Sequence, residues 1–292
     1  MNTLVIGCTG TVGSSVTRKL LEAGEEVRCF SRSPAHLGSL PPEVDGYLGD
    51  LNEPSTLPYA FDDMEALFLL LPVGPHETAQ GLAAVNEARN ADIGKIVYMS
   101  VHMPPGSTHI PHFKSKLPVE EAVKSSGIPY TILRPNNFFQ NDLAFKDAIL
   151  RNRVYPQPIG SVGVSRVDVR DIATAAVNAL LLPGHDGMEY PLHGPDALTG
   201  EEVARSYSRH LEQEIRYDGD LDLWADTARR MLPAWMVDDL VIMYRYFQEH
   251  GFAASPDELV FERKILRDAP RSFDRFVEEV TASWKREMAV SL

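Results

Sequence analysis

The chain reads Leu4-Val5-Ile6-Gly7-Cys8-Thr9-Gly10-Thr11-Val12-Gly13 near its N-terminus, so that three glycines with G-x-x-G-x-x-G spacing follow an apolar run. Residues 12–23 then predict a helix, and residues 26–30 predict a second strand. In a strand–turn–helix unit of this kind, the glycines permit a sharp turn, a close approach of the backbone to a pyrophosphate, and tight packing of helix on strand. The N–H groups at the start of the helix favour a phosphate. We therefore expect a dinucleotide to contact Gly7, Thr9, Gly10, Thr11, Val12 and Gly13.

The composition is that of an ordinary globular chain, with 292 residues of which 44% are hydrophobic and 24% are charged. The formal net charge of -13 at pH 7 repels nucleic acids and anionic membrane surfaces, so we expect neither as a partner. The only two cysteines, Cys8 and Cys29, exclude a disulfide framework and predict reduced thiols. The chain begins directly with a strand, and its apolar runs are too short to span a bilayer, so we expect a cytoplasmic protein.

Short apolar runs alternate with helical or turn-rich stretches through the first half of the chain. The predicted strands are residues 4–6, 27–30, 46–48, 66–71, 95–100 and 130–133. The predicted helices are residues 12–23, 55–59, 75–91 and 111–126. This alternation is typical of parallel strands joined by crossover helices. We therefore expect an α/β fold, with a Rossmann-like, doubly wound parallel sheet over residues 1–154.

The pattern changes from about Tyr155 onward. Prolines and glycines make residues 156–163 irregular, residues 169–182 predict a helix, residues 189–192 predict a short strand, and most of the remainder is helical. We expect a smaller, mostly helical substrate-binding subdomain over residues 155–292, with the helix at 169–182 packed back on the Rossmann layer.

Arg32 bears on the identity of the dinucleotide. It ends the second predicted strand in Phe30-Ser31-Arg32-Ser33, where an acid would favour a free ribose 2′-hydroxyl and an arginine favours a 2′-phosphate. The sequence thus predicts NADP(H), the alternative being that Arg32 is a solvated loop cation. Asp50, after the third predicted strand, is expected either to touch the adenine or to cap a helix. The turn after the fourth predicted strand is expected under the nicotinamide and contains Leu71, Pro72 and Val73.

Several later segments together resemble a known family. They are Ile96-Val97-Tyr98-Met99-Ser100, His112-Phe113-Lys114-Ser115-Lys116, the run from Gly127 to Pro135, Arg166-Val167-Asp168-Val169-Arg170-Asp171-Ile172-Ala173 and Ala269-Pro270-Arg271-Ser272-Phe273. With the glycine turn, they resemble the NmrA-like and isoflavone-reductase-like branch of the atypical short-chain dehydrogenases/reductases. The resemblance covers nearly the whole chain and implies a Rossmann-like domain, NADP(H) binding and a small substrate-binding subdomain.

The resemblance also implies a candidate catalytic site. In the wider superfamily, a Tyr-x-x-x-Lys pair and a serine carry hydride chemistry; the lysine holds the nicotinamide ribose and the tyrosine donates the proton. The matching pair here is His112-x-x-x-Lys116, so the tyrosine is absent, and Ser100 stands at the serine position. Residues four apart on a helix share a face, and a histidine can act as an acid near neutral pH. Competing candidates for these roles are Lys114, His102 and His109.

The remaining expectations concern the substrate. The predicted substrate contacts are Met103, Asn137 and Phe138, although the adjacent phenylalanines at 138 and 139 fit core packing equally well. Aromatic residues in the C-terminal part favour an apolar or aromatic small molecule. We therefore expect hydride transfer to or from a carbonyl, imine or enone, with Lys116 on the ribose and His112 or a water as the proton source.

Two other functions remain open. The first is an NADP(H)-binding redox sensor that acts through a protein partner, because NmrA-like proteins include members that bind the nucleotide without turning it over. The second is an isomerase or lyase that retains its nucleotide. No metal-binding motif stands out, and a homodimer is compatible with the sequence.

Overall fold

The computed structural model describes residues 1–290 and divides into two compact units. One unit, called here the sheet unit, comprises Met1–Pro135, Val169–Leu192 and Phe261–Arg267. The other, called the helical unit, comprises Asn136–Asp168, His193–Val260 and the residues from Asp268 onward. The first segment of the sheet unit ends at Pro135 and not at the expected residue 154. The sheet unit also contains Val169–Leu192, whose helix was expected to pack back on the Rossmann layer, and Phe261–Arg267.

The strands form two sheets. Their bounds are β1 (Asn2–Ile6), β2 (Glu26–Ser31), β3 (Asp45–Leu48), β4 (Ala66–Leu69), β5 (Lys95–Met99), β6 (Tyr130–Pro135), β7 (Val154–Tyr155), β8 (Met188–Leu192) and β9 (Arg216–Tyr217). The sheet unit holds a seven-stranded parallel sheet in the order β3-β2-β1-β4-β5-β6-β8. The strand order reverses between β1 and β4, and open α/β sheets bind ligands at the carboxyl ends of the strands beside such a reversal. The doubly wound parallel sheet is confirmed.

Helices cover both faces of this sheet. They are α1 (Thr11–Glu22), α2 (Pro34–Leu37), α3 (Pro58–Phe61), α4 (Glu77–Asn90), α5 (Pro111–Lys114), α6 (Leu117–Ser125) and α7 (Val169–Leu181), with 3₁₀ turns at Pro54–Thr56 and Ser107–His109. Helices α1 and α7 pack against each other, and so do α4 and α6. Alternate strand residues such as Leu4, Ile6 and Leu69 are buried beneath α3, α4 and α6, as the two-residue period of a strand requires.

The expected helix over residues 111–126 is broken. Pro118 has no N–H to donate to Lys114, so the first segment ends there, whereas a proline is well tolerated in the first turn of the next helix. At the break, the backbone N–H of Lys116 donates to the carbonyl of Phe113 at 3.2 Å. His112 therefore lies on α5, whereas Lys116 lies at the break as the N-cap residue of α6, and the two do not belong to one continuous helix.

The helical unit contains the small β7–β9 sheet and the later helices. Those helices are α8 (Gly200–Leu211), α9 (Leu221–Ala228), α10 (Ala234–His250), α11 (Pro256–Leu266) and α12 (Phe273–Val290), preceded by a 3₁₀ segment at Phe139–Phe145 and a π-helical turn at Ala148–Asn152. Helix α11 starts in the helical unit and ends in the sheet unit. No helix among residues 1–290 is long and apolar enough to cross a membrane.

A fully buried ion pair lies inside the helical unit. The Arg166 guanidinium donates to the Asp142 carboxylate at 2.7 Å, and neither side chain is exposed. The hydroxyls of Tyr155 and Tyr207 donate to the same carboxylate at 3.1 and 3.2 Å. A buried pair is stable only when its remaining hydrogen-bonding groups are also satisfied. Arg166 begins one of the segments that carry the family resemblance, and its role here is structural.

Candidate cofactor and active site

The glycine turn connects β1 to α1, and two of its glycines are required by the protein itself. Gly7 has a φ of +86°, and a Cβ atom there would lie 2.6 Å from the carbonyl oxygen of Leu70. A Cβ on Gly13 would lie 2.1 Å from the carbonyl oxygen of Gly7. At Gly10, by contrast, a Cβ would meet only one atom, at 3.5 Å. Packing within the chain therefore does not require a glycine at position 10, whereas a ligand approaching the turn would.

The start of α1 is built to accept an anion. Its N-cap is Gly10, which offers no side-chain hydrogen bond, and its first turn carries no acidic residue. The first N–H groups of a helix have no intrahelical partners, and the helix dipole places partial positive charge beside them. Thr11, Val12 and Gly13 form this first turn, and the sequence predicted all three as cofactor contacts.

A cavity of about 330 Å³ opens at the carboxyl ends of β1 to β4, beside the strand-order reversal. We call it the switch-point cavity. Its lining residues are Ile6, Gly7, Thr9, Gly10, Phe30, Ser31, Arg32, Gly49, Asp50, Leu51, Leu70, Leu71, Pro72 and Gln80. It brings together seven of the twelve predicted cofactor residues. The other five, which do not line it, are Thr11, Val12, Gly13, Val73 and Lys116. Ligand pockets span about 300–1,000 Å³, so this volume suits one half of a dinucleotide.

Arg32 lies at the rim of this cavity with an exposed side chain. The structure records no hydrogen bond or ion pair between its guanidinium and any residue of the described range 1–290. A guanidinium presents several donors in a planar fork that suits a phosphate. The position and the open donors fit the predicted 2′-phosphate contact.

Asp50 does not cap a helix. Its Oδ1 atom accepts hydrogen bonds from the backbone N–H and the side-chain amide of Asn52, both at 2.9 Å. The 3₁₀ turn that follows has Glu53 as its N-cap and no side-chain cap. The capping alternative is therefore wrong, and Asp50 instead forms a local Asx turn that holds its carboxylate in the cavity wall.

Lys116 is buried and paired with an acid that the sequence did not single out. Only 6% of the residue is exposed, and its Nζ atom pairs with Oε1 of Glu77, whose side chain is fully buried at the start of α4. The other carboxylate oxygen of Glu77 accepts a hydrogen bond from the Ser115 hydroxyl at 2.8 Å. The Thr78 hydroxyl donates to the carbonyl of Ser115 at 2.7 Å. The first turn of α4 therefore docks on the break between α5 and α6 and fixes the ammonium.

Tyr98 and Ser100 lie near a second buried acid, Glu120. The Arg134 guanidinium donates two hydrogen bonds to this carboxylate, at 3.0 and 2.6 Å. Burial alone would raise the pKa of Glu120, but Arg134 holds that pKa below its usual value. The Ser100 hydroxyl lies beside the same carboxylate without completing a hydrogen bond of normal geometry. Burial, together with the charges of Glu77 and Glu120, raises the pKa of Tyr98, so its phenol stays protonated.

His112 is half-buried on α5, with its ring edge-on to Phe113 at a centroid distance of 4.7 Å. The predicted substrate contacts Asn137 and Phe138 belong to the helical unit, where both take part in binding Arg166. The Asn137 side-chain oxygen accepts from Arg166 at 3.0 Å, and the Phe138 carbonyl accepts at 2.7 Å. Met103 is half-buried in the sheet unit.

The two cysteines are free and buried. The Cys8 thiol lies 3.5 Å from the carbonyl oxygen of Phe30, to which it donates, and the sulfur of Cys29 lies 3.7 Å from the hydroxyl of Thr17. Interaction with Cys29 and burial raise the pKa of Cys8. The thiolate is the reactive form of cysteine, so the burial and the raised pKa both disfavour reaction of Cys8.

Comparison with known proteins places the chain in a family. The model of the NmrA-like family matches residues 2–283. The chain belongs to the NmrA-like family. This NmrA-like protein is 35% identical over 218 residues to an NAD(P)H azoreductase of Xenophilus azovorans, covering 73% of this chain and 75% of that protein. It is 33% identical over 233 residues to a (4-alkanoyl-5-oxo-2,5-dihydrofuran-3-yl)methyl phosphate reductase of Streptomyces griseus, covering 79% of this chain and 80% of that protein.

Solved structures agree on the fold of this NmrA-like protein. An NADPH-dependent quinone oxidoreductase of Escherichia coli, complexed with NADPH, aligns with a TM-score of 0.82 and 21% identity over 96% of this chain and 99% of that one. The negative transcriptional regulator NmrA, in complex with NADP, aligns with a TM-score of 0.80 and 20% identity over 100% of this chain and 98% of that one. At these identities the likeness establishes a shared fold.

Proposed function

We propose that this NmrA-like protein is an NADP(H)-dependent oxidoreductase that transfers a hydride to or from a small apolar or aromatic carbonyl, imine or enone. The observation that carries the proposal is the switch-point cavity, which lies beside the uncapped N-terminus of α1 and is lined by Arg32, whose guanidinium donors are open. The relatives at 35% and 33% identity described above are both named as reductases, which supports the same class of reaction. This assignment would place the protein among the short-chain dehydrogenases/reductases.

The residues present fit NADP(H). Packing within the chain does not require a glycine at position 10, and the absence of a side chain there leaves room for a pyrophosphate. The first turn of α1 would donate to that pyrophosphate, and Arg32 would bind the 2′-phosphate of the adenosine ribose. The adenosine half would then lie toward β2 and β3, and the nicotinamide half over β4 and β5.

Bound NADPH would supply the hydride, and the chain would supply orientation and protons. An ammonium has three donors, and Glu77 occupies one donor of Lys116. In the proposed site, the remaining donors of Lys116 hold the nicotinamide ribose. Ser100 donates to the substrate oxygen, and His112 or a water delivers the proton. Holding both reactants in place would provide much of the rate gain.

The proposed substrate is small and apolar, and Met103, Asn137 and Phe138 are its proposed contacts. We expect no nucleic-acid or membrane partner, because the net charge of -13 disfavours both. The proposed location is the cytoplasm, and the proposed role of the helical unit is to bind the substrate.

A redox sensor is the second candidate, and one observation favours it. His112 stands where the wider superfamily has its tyrosine acid, and a protein without that acid can bind the nucleotide without turnover. A sensor would bind one redox form of the cofactor much more tightly than the other, whereas a reductase would bind both forms.

Calorimetric titration with NADPH, NADP⁺, NADH and NAD⁺ tests these alternatives. The proposal predicts binding of both phosphorylated forms, with Arg32→Ala weakening them selectively by about tenfold, as expected for one lost charge-assisted contact. Arg89→Ala provides the matched control, because Arg89 is exposed on α4 and does not line the cavity. Quinone, azo and enone substrates would then be screened for NADPH consumption. Binding of a single redox form without turnover would support the sensor, and failure to bind any form would refute both.

A further inference from the structure

Glu77 is a fully buried acid whose only role in the proposed hydride transfer so far is to occupy one donor of Lys116. Its side chain has no exposed surface, and it is the first residue of α4, where the helix dipole favours a negative charge. The Ser115 hydroxyl holds its second carboxylate oxygen at 2.8 Å. No ligand can therefore touch Glu77. Any effect of this residue on a cofactor has to come through Lys116 or from the charge of its carboxylate.

The Glu77–Lys116 pair lies beside the turn that follows β4. Gly81 is four residues after Glu77 on α4 and therefore shares its face. A Cβ atom on Gly81 would lie 2.8 Å from the side chain of Leu71 and 2.6 Å from that of Val119. Leu71 lines the switch-point cavity, and the N–H of Val119 donates to the carbonyl of Lys116 at 3.1 Å. This close packing sets the pair next to the proposed nicotinamide half of the site.

The surroundings of the pair transmit charge well. Leu71 is buried, and the second buried acid, Glu120, is neutralised by two hydrogen bonds from Arg134. Burial and the charge of Glu77 both raise the pKa of Tyr98, so the charge of this acid is felt on the neighbouring strand β5. Charges interact more strongly in such an interior than in water.

The two redox forms of the cofactor differ by one charge on the nicotinamide ring, which is neutral in NADPH and positive in NADP⁺. An unpaired ammonium at the nicotinamide ribose would repel the oxidised ring, whereas an ammonium paired with a carboxylate adds no net charge. Two unit charges within about 10 Å of each other at a buried site interact strongly enough to change an affinity about tenfold. The charge of Glu77 therefore bears on which redox form binds.

We propose that Glu77 sets the balance between the two redox forms of the cofactor, because its carboxylate cancels the charge of Lys116 and lets NADP⁺ bind nearly as well as NADPH. Without this carboxylate, the site would hold NADPH and bind NADP⁺ much more weakly. Glu77 does not contact the cofactor and is a positioning residue for Lys116 as well as its counter-charge. The inference rests on the proposed binding of NADP(H) and deepens it, since a reductase has to bind one form and release the other.

The test measures the dissociation constants of NADP⁺ and NADPH by calorimetry on the full-length protein and takes their ratio. In the wild type, NADP⁺ should bind no more than about threefold more weakly than NADPH. Glu77→Gln keeps the size of the side chain and an acceptor for Ser115 but removes the charge, so it should raise the ratio about tenfold or more. Because this variant is less stable, all titrations contain sucrose, which favours the folded state, and circular dichroism verifies folding.

Lys116→Gln tests the inference in the opposite direction. The glutamine keeps N–H donors for the ribose but leaves the Glu77 carboxylate without a cation, so the ratio should fall below that of the wild type. General destabilisation would not raise the ratio in one variant and lower it in the other. Glu121→Gln is the matched control, because it removes an exposed acid from α6, and it should keep the wild-type ratio.

The outcomes separate the inference from the proposed function. A ratio in folded Glu77→Gln that stays within about threefold of the wild-type ratio overturns the inference alone. If this variant does not fold, Lys116→Gln decides, and an unchanged ratio there overturns the inference. A wild type that binds only one redox form also overturns it, while leaving cofactor binding intact. Failure of the wild type to bind either nucleotide overturns the proposed function and the inference with it.

Discussion

Replacing Glu77 with glutamine should leave the Lys116 ammonium buried without its counter-charge. The substitution keeps the size of the side chain and an acceptor for the Ser115 hydroxyl, so it changes little besides the charge. Glu77 has no exposed side-chain surface, and that of Lys116 is 7% exposed. Breaking one member of a buried pair costs about 3–5 kcal/mol. Because the amide still accepts a hydrogen bond, we expect a loss of about 3 kcal/mol in the free energy of unfolding.

The assay is urea unfolding at pH 7, followed by circular dichroism, for three proteins. These are the wild type, Glu77→Gln, and the double variant Glu77→Gln/Lys116→Met. Removing both charges eliminates the uncompensated ion, so the double variant should regain most of the lost stability. Cofactor binding should not recover, because the proposed ribose contact is absent from the double variant.

Two results would refute this reasoning. A loss of less than about 1 kcal/mol in the free energy of unfolding of Glu77→Gln would mean that the Glu77–Lys116 pair contributes no more than an exposed salt bridge. A double variant no more stable than the single variant would mean that the lost stability arises from packing and not from an unpaired charge.

Two further predictions concern the glycine turn and the second buried acid. Gly13→Ala should lower the melting temperature, because its Cβ would lie 2.1 Å from a carbonyl oxygen. Gly10→Ala should leave the melting temperature nearly unchanged and weaken NADPH binding, as measured by thermal unfolding and calorimetry. Equal melting temperatures for the two variants would contradict this prediction. The pKa of Glu120 is lowered on folding, so its contribution to stability is present above its usual value of 4.5 and is lost as pH falls through the folded value. The difference in the free energy of unfolding between wild type and Arg134→Gln, measured by urea unfolding, should therefore be largest at neutral pH and smaller in acid. A difference that does not depend on pH would contradict the pairing of Glu120 with Arg134.

Features that depend on neighbouring residues could be predicted well from the sequence. Strands β1 to β6 appear where short apolar runs predicted them, and α1, α4 and α7 match their predicted spans within two residues at each end. The glycine turn has a local steric cause, since Gly7 adopts a positive φ and Gly13 packs on the turn itself. The family and the doubly wound sheet followed from these local patterns and are confirmed.

Breaks and boundaries were harder to predict. Pro118 is visible in the sequence, but we predicted one continuous helix over residues 111–126. We expected the strand at residues 189–192 to belong to the C-terminal subdomain. In the structure this strand is β8, which pairs with β6 and completes the seven-stranded sheet. A short strand does not reveal its partner, because many edges present equivalent backbone hydrogen-bonding groups.

The candidate site depended most strongly on tertiary structure. By itself, the sequence determined the glycine turn, the position of Arg32 after the second strand and the four-residue spacing of His112 and Lys116. Only the tertiary structure brought Glu77 to Lys116 across 39 positions and Gln80 to Asn52 across 28. Spacing within a helix or strand relates residues only a few positions apart. Buried charges and amides instead find partners wherever packing places them, because leaving them unpaired is so costly.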